Sequence, residues 1–168
     1  PLHSSPILDL RIRKAIRRNG TRLALATDRP TALDGGAEAV ARYAPGGASA
    51  FLAGLAAAVR DEADNDASPL ADVLRGAESV VIVWGDRIGR EGGDAAAVRG
   101  LLEVSSALEL GEKDGSGLLE VPEVTNARGL REAGCLPDAG PGLAEAEAGR
   151  STEGIREGLE SGELSSLI

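Results

Sequence analysis

The segment SVVIVWGDRIGREGGD, residues 79–94, decides the fold. It begins with an apolar, largely β-branched run, Val80 to Trp84, that has no polar residue at alternate positions. Such a run predicts a strand that is buried on both faces, inside a parallel sheet. A glycine-bearing loop follows, and Asp94 is suited to cap a helix that begins at Ala95. A strand, loop and helix in this order make half of a βαβ unit.

The rest of the chain predicts elements that surround this strand. Helices are predicted over 6–18, 48–62, 94–110 and 151–161, a short helix begins at Ser68, and strands lie over 22–26 and at the start of 164–168. Residues 37–43 are either a strand or irregular. Residues 111–148, rich in Gly, Pro and acidic residues, predict a long loop excursion with at most one helical turn near 128–132.

These elements predict an α/β fold with a parallel-dominated, Rossmann-like sheet and helices on both faces. We expect a single domain over residues 1–168. No strand precedes the first predicted helix, and residues 164–168 correspond only to the start of a strand. We therefore expect the domain to be truncated at both ends.

Composition limits the function classes. The 168 residues are 42% hydrophobic but only 2% aromatic, and they carry a net charge of −9. Few aromatic side chains and a negative charge argue against nucleic-acid binding. Charge is uneven, because residues 1–33 carry seven basic and two acidic side chains, whereas the remainder carries 11 and 25. This asymmetry suits either a face that docks on an acidic neighbour or one solvated helix.

Several standard site motifs are absent from the sequence. The glycines at 85, 89, 92 and 93 form neither a G-x-G-x-x-G fingerprint nor a P-loop. His3 and Cys135 are the only residues of their types, so we predict no metal site and no catalytic Cys–His pair. No signal peptide is visible, and the longest apolar stretch, 51–59, is too short to span a bilayer.

Five segments together resemble one family. They are LDLRIRKAIRRNGTRLALAT (8–27), AVARYAPGG (39–47), VVIVWGDRIGR (80–90), TNARGLREAGCLPDAGPG (125–142) and GRSTEGIREGLESGEL (149–164). They are similar to the iron–sulfur subunit of bacterial NADH-quinone oxidoreductase (respiratory complex I) that has a large, molybdopterin-oxidoreductase-like C-terminal region, and the likeness lies within that region. The resemblance implies a fold like that of the nucleotide-binding domains of formate dehydrogenase and DMSO reductase.

The resemblance also implies where a cofactor would bind. In cofactor-binding relatives, a strand ends in an Asp-Pro-Arg-x-Thr-like loop, and a Pro-Gly-Thr-Asp segment follows later. Here Thr27 takes the place of the first Asp, and Ala48 takes the place of the last, although Asp28 can substitute by a register shift. We expect a vestigial crevice formed by Thr27, Asp28, Arg29, Gly85, Asp86 and Asn126. Asn126 belongs either to a loop folded over the ligand edge or to a remnant of the cofactor floor.

The resemblance therefore implies a structural, non-catalytic domain in a complex that transfers electrons from NADH to quinone. We expect no cofactor in this chain, with iron–sulfur clusters elsewhere in the parent subunit, and no bound molybdopterin. The expected partners are other subunits of the peripheral arm, without direct membrane insertion. The expected location is cytoplasmic, on the inner face of the inner membrane. The alternative is an active molybdopterin- or nucleotide-dependent oxidoreductase domain.

Overall fold

The computed structural model describes residues 5–85, 87–90 and 95–166. The chain is α/β and divides into two compact units, 1–123 and 124–168. Within the described part of the first unit, the helices are α1 (Pro6–Asn19), α2 (Ala48–Val59), α3 (Ser68–Arg75), α4 (Arg87–Arg90) and α5 (Ala96–Ala107). The strands are β1 (Ala24–Thr27), β2 (Ala39–Arg42), β3 (Val81–Gly85) and β4 (Gly117–Val121).

The described strands form two separate two-stranded sheets, both parallel, whereas the sequence predicts one sheet. β1 runs beside β2, from the Ala24–Ala39 pair to the Thr27–Arg42 pair. β3 runs beside β4, with Val83 opposite Leu119. β4 lies inside the segment that the sequence predicts as a loop. Its LLEV sequence directly follows the Gly-Ser-Gly segment 115–117, which is typical of a loop. Four apolar and acidic residues beside such a segment are too few to predict a strand.

One apolar cluster organises the first unit. Buried side chains of α2, α3 and α5 pack together and against the inner side of the strands, where Ala39 and Ala41 are buried. Alanine and glycine allow the elements to approach closely. An added Cβ at Gly100 of α5 would lie only 2.8 Å from the Cβ of Leu52 on α2. One contact between aromatic rings lies in the described ranges: the ring centroids of Tyr43 and Phe51 are 5.3 Å apart.

The prediction that Val80–Trp84 is buried on both faces is wrong. Ile82 and Trp84 pack against the core, but Val81 and Val83 are 55% and 42% exposed. Leu119, opposite Val83, is exposed as well. An apolar run shows that both faces of a strand are hydrophobic. It does not show whether other elements of the chain pack on both of those faces.

Helix ends follow local chemistry. Gly20 closes α1 in the left-handed conformation, at φ 68°, and its N–H donates to the carbonyl of Ala15. Ser68 does not occupy the cap position of α3, because it is already helical; its hydroxyl instead accepts a hydrogen bond from the N–H of Asn65 at 2.9 Å. Asp94, the predicted cap of α5, lies outside the described residues.

The second unit contains α6 (Ala127–Glu132) and α7 (Thr152–Glu160). α6 coincides with the helical turn predicted near 128–132. α7 corresponds to the helix predicted over 151–161, and Ser151 caps it, its hydroxyl accepting from the N–H of Gly154 at 3.2 Å. Leu164 does not begin a strand, because its N–H donates back to the carbonyl of Gly158 at 2.8 Å. Leu167 and Ile168 lie outside the described residues.

Candidate functional site

The first unit brings together the two loops that the sequence predicts as a crevice. Thr27 ends β1, and Asp28 and Arg29 follow it; Gly85 ends β3, and Arg87 begins α4 just beyond. An Asp28 carboxylate oxygen lies 4.0 Å from an Arg87 guanidinium nitrogen, so the two loops adjoin at the carboxyl ends of parallel strands. β1 and β3 belong to separate sheets, and in α/β proteins ligands usually bind beyond the carboxyl ends of parallel strands.

Asp28 lies in the loop after β1 and approaches the segment that follows β3. Its side chain is 23% exposed. It also faces the guanidinium of Arg29 at 3.7 Å. Both separations exceed hydrogen-bond length, so the arginines neutralise the carboxylate without occupying its oxygens through close hydrogen bonds.

Thr27 is held by the neighbouring strand. Its hydroxyl donates to the carbonyl of Arg29 at 2.8 Å and accepts from a guanidinium nitrogen of Arg42 at 2.8 Å. Arg42 is the β2 residue directly opposite Thr27 in the parallel register. The Thr27 hydroxyl is therefore fully engaged in hydrogen bonds that stabilise the turn after β1.

Asp34 completes this network. One carboxylate oxygen accepts from the hydroxyl and the N–H of Thr31, at 2.6 and 3.1 Å. The other oxygen accepts from Arg42. The hydrogen bonds from Thr31, followed by the charge and hydrogen bond of Arg42, hold the pKa of Asp34 below its usual range.

Asp34 and Arg42 are residues of this site that the sequence pattern alone did not single out. A Thr followed three residues later by an Asp, Thr31 to Asp34, is the available signal for a side-chain-closed turn. Arg42 has no comparable signal. Its role depends on the register that places it opposite Thr27.

The prediction names three further residues for this site, Gly85, Asp86 and Asn126. Asp86 lies outside the described residues. Gly85 has no steric reason to be glycine, since an added Cβ would meet nothing within 4 Å. Asn126 lies in the second unit, at φ 61°, just before α6.

Metal-ligating side chains do not cluster in the described part of the chain. Residues 5–85, 87–90 and 95–166 hold no group of three or more His, Cys, Asp or Glu side chains that could bind a metal ion. Cys135 is a free, exposed thiol, and His3 lies outside those ranges. No described helix has the length and apolar content needed to cross a bilayer.

Two curated sequences are similar to this chain. Both are the NADPH-Fe(3+) oxidoreductase subunit alpha of Geobacter sulfurreducens, from strain DL-1/KN400 and from strain ATCC 51573/DSM 12127/PCA. Each is 31% identical over 137 residues, which cover 71% of this chain and 16% of the relative's length. No protein-family model and no solved structure matches the chain. The similarity to part of an oxidoreductase subunit indicates a redox-related role.

Proposed function

We propose that this chain is a structural, non-catalytic domain of the iron–sulfur subunit of an NADH-quinone oxidoreductase, from its molybdopterin-oxidoreductase-like region. Segments from residue 8 to residue 164 resemble that family, and the similar Geobacter chains are oxidoreductase subunits by name. In this proposal the domain contacts other peripheral-arm subunits on the cytoplasmic side of the membrane. The single Cys135 cannot hold an iron–sulfur cluster, so the clusters belong to other parts of the subunit.

The hydrogen-bond network at the end of β1 carries this proposal. A tightly bound pterin nucleotide needs acceptors for its ribose hydroxyls and guanine edge. Both oxygens of Asp34 are already used by Thr31 and Arg42, and the Thr27 hydroxyl already donates and accepts. A ligand would have to break these bonds and leave a charged partner unpaired. The side chains of Thr27 and Asp34 therefore do not fit that group as acceptors.

One observation favours the second candidate, an active molybdopterin- or nucleotide-dependent oxidoreductase domain. Asp28 is partly exposed, and its nearest cations stand at 3.7 and 4.0 Å. Its oxygens can therefore still accept hydrogen bonds from a ligand. In that alternative, Asp28 takes over the role of the acidic residue that Thr27 replaces.

Calorimetric titration of the 168-residue chain with GDP separates the two candidates. We expect no saturable heat at micromolar concentrations, because internal hydrogen bonds occupy the side-chain acceptors of Thr27 and Asp34. Stoichiometric binding that Asp28→Asn abolishes, and that Asp64→Asn leaves intact, would instead establish the second candidate. Molybdenum and pterin analysis of the purified full-length subunit is the companion measurement, with neither expected.

A further inference from the structure

The exposed face of α1 combines apolar and cationic side chains. Ile7 and Leu10 are 68% and 61% exposed. Four cations follow over the next two turns, beginning directly after Leu10: Arg11, Lys14, Arg17 and Arg18. At about 100° per residue, these six side chains share one side of the helix. We refer to them as the α1 outer face.

The cations of this face differ from most other cations of the described chain. Nine arginines elsewhere in the described ranges form ion pairs with Asp or Glu. Within those ranges, Arg11, Lys14, Arg17 and Arg18 form none. Carboxylates are abundant beyond residue 33, so four neighbouring unpaired cations are a local concentration of positive charge on an acidic protein.

The rest of α1 fixes this face in a defined orientation. Arg13, next to Arg17 at the border of this face, donates to the carboxylate of Asp9 at 2.7 Å and to the carbonyl of Ala32 at 2.8 Å. Ile16 lies against Gly36, its Cδ1 3.7 Å from the position of an added Cβ. A cavity of about 350 Å³ opens between α1 and residues 32–36, and Arg17 lines it. A partner's acidic side chain can enter there and meet a cation that has no ion pair within the described chain.

We propose that the α1 outer face docks an acidic protein surface. The partner presents carboxylates to the four cations and a small apolar patch to Ile7 and Leu10. Two exposed aliphatic residues without an aromatic are too few for insertion into a lipid interface. A chain with net charge −9 is repelled by a nucleic-acid backbone outside this one face. The proposal rests on this face alone and holds whether or not the domain is catalytic.

The test uses the 168-residue chain and a fluorescent probe, a helical peptide with Glu along one face and two Leu beside them. Anisotropy titration measures its dissociation constant at low salt and at about 0.3 M salt. We expect Lys14→Glu with Arg18→Glu to weaken binding at least about tenfold. We expect Ile7→Ser with Leu10→Ser to weaken it about three- to tenfold, because the apolar contact is lost.

A matched control variant reverses two positive charges outside α1, so its net charge equals that of Lys14→Glu with Arg18→Glu. Arg60→Glu with Arg128→Glu should change the dissociation constant by less than about twofold. Equal loss in this control, or full binding by Ile7→Ser with Leu10→Ser, would show only net-charge attraction and overturn the proposal. Tighter binding to phosphatidylserine vesicles or duplex DNA than to the peptide would also overturn it. Far-UV circular dichroism checks folding, and Lys14→Gln with Arg18→Gln replaces the reversal variant if that variant unfolds.

Discussion

Asp34 makes the stability of the first unit depend on pH. Hydrogen bonds from Thr31 and the charge of Arg42 lower its pKa in the folded state. Its stabilising contribution is therefore present above the ordinary carboxyl pKa and is lost as the pH falls through the folded pKa. We predict that Asp34→Asn lowers the urea midpoint at pH 7. The difference from wild type should shrink below about pH 4.

Asp64→Asn is the control for that prediction. Asp64 lies in the exposed acidic turn after α2 and forms no hydrogen bond or ion pair with the described chain. Its substitution should leave both the midpoint at neutral pH and its pH dependence close to wild type. A deficit in Asp34→Asn that stays constant between pH 7 and pH 3 would contradict the assigned network.

Asp9 is an acidic residue buried in a largely exposed helix. Its side chain is 1% exposed; one oxygen bonds Arg13, and the other is buried without a hydrogen-bond partner in the described chain. We predict that Asp9→Ala lowers the free energy of unfolding by about 1–3 kcal/mol, because Arg13 loses its carboxylate partner. Urea unfolding of Asp9→Ala, Arg13→Ala and the double variant should reveal a favourable coupling. Additive losses would show that the pair does not anchor α1 to residue 32.

At the scale of elements, α2 and α5 meet at a glycine. An added Cβ at Gly100 would lie 2.8 Å from the Cβ of Leu52, an atom fixed by the α2 backbone. We predict that Gly100→Ala destabilises the protein by about 1–3 kcal/mol, because the helices must separate. Gly54→Ala in α2 is the matched control, because its added Cβ would make only ordinary contact with Asn65 at 3.6 Å. That variant should be neutral or stabilising by up to about 1 kcal/mol in denaturant unfolding.

Two adjacent residues of β3 should differ in how much stability they lose when each is replaced by threonine. Ile82 packs on the core, so Ile82→Thr loses apolar contact and places a hydroxyl there, at a cost of about 1–3 kcal/mol. Val83 is half exposed, and Val83→Thr keeps the branched side chain that favours strands. Its effect should stay within about 0.5 kcal/mol. Equal losses measured by chemical denaturation would mean that both faces of β3 are covered.

The sequence predicted helices better than sheets for a physical reason. The ends of α1 and α7 depend on local groups, Gly20 and Ser151, which are visible in sequence. The exposure of Val83 and the existence of β4 depend on pairing between distant segments. The candidate site shows a similar division: the Asp28 loop is expected from the family resemblance, whereas the role of Arg42 depends on the β1–β2 register.

At the scale of the whole molecule, apolar burial is unevenly shared between the two units. Every buried apolar side chain of the described chain lies between Leu33 and Leu110, in the first unit. In the described part of 124–168, Gly158 is buried but no apolar side chain is. Val124, Leu130 and Leu143 are exposed there. The second unit therefore has little hydrophobic driving force of its own.

We predict that residues 1–123 fold alone and that residues 124–168 do not. The first fragment keeps the entire buried cluster, including the contacts of Trp84, so its tryptophan fluorescence should report a cooperative urea transition. The second fragment has the ion pairs Arg150–Glu163 and Arg156–Glu160, but exposed ion pairs contribute little, and a chain this short without a core is marginal. Its far-UV circular dichroism should show little helix and no cooperative melting. A cooperative melt of 124–168, or a non-cooperative 1–123, would contradict the inference that buried apolar area decides which part of this chain folds.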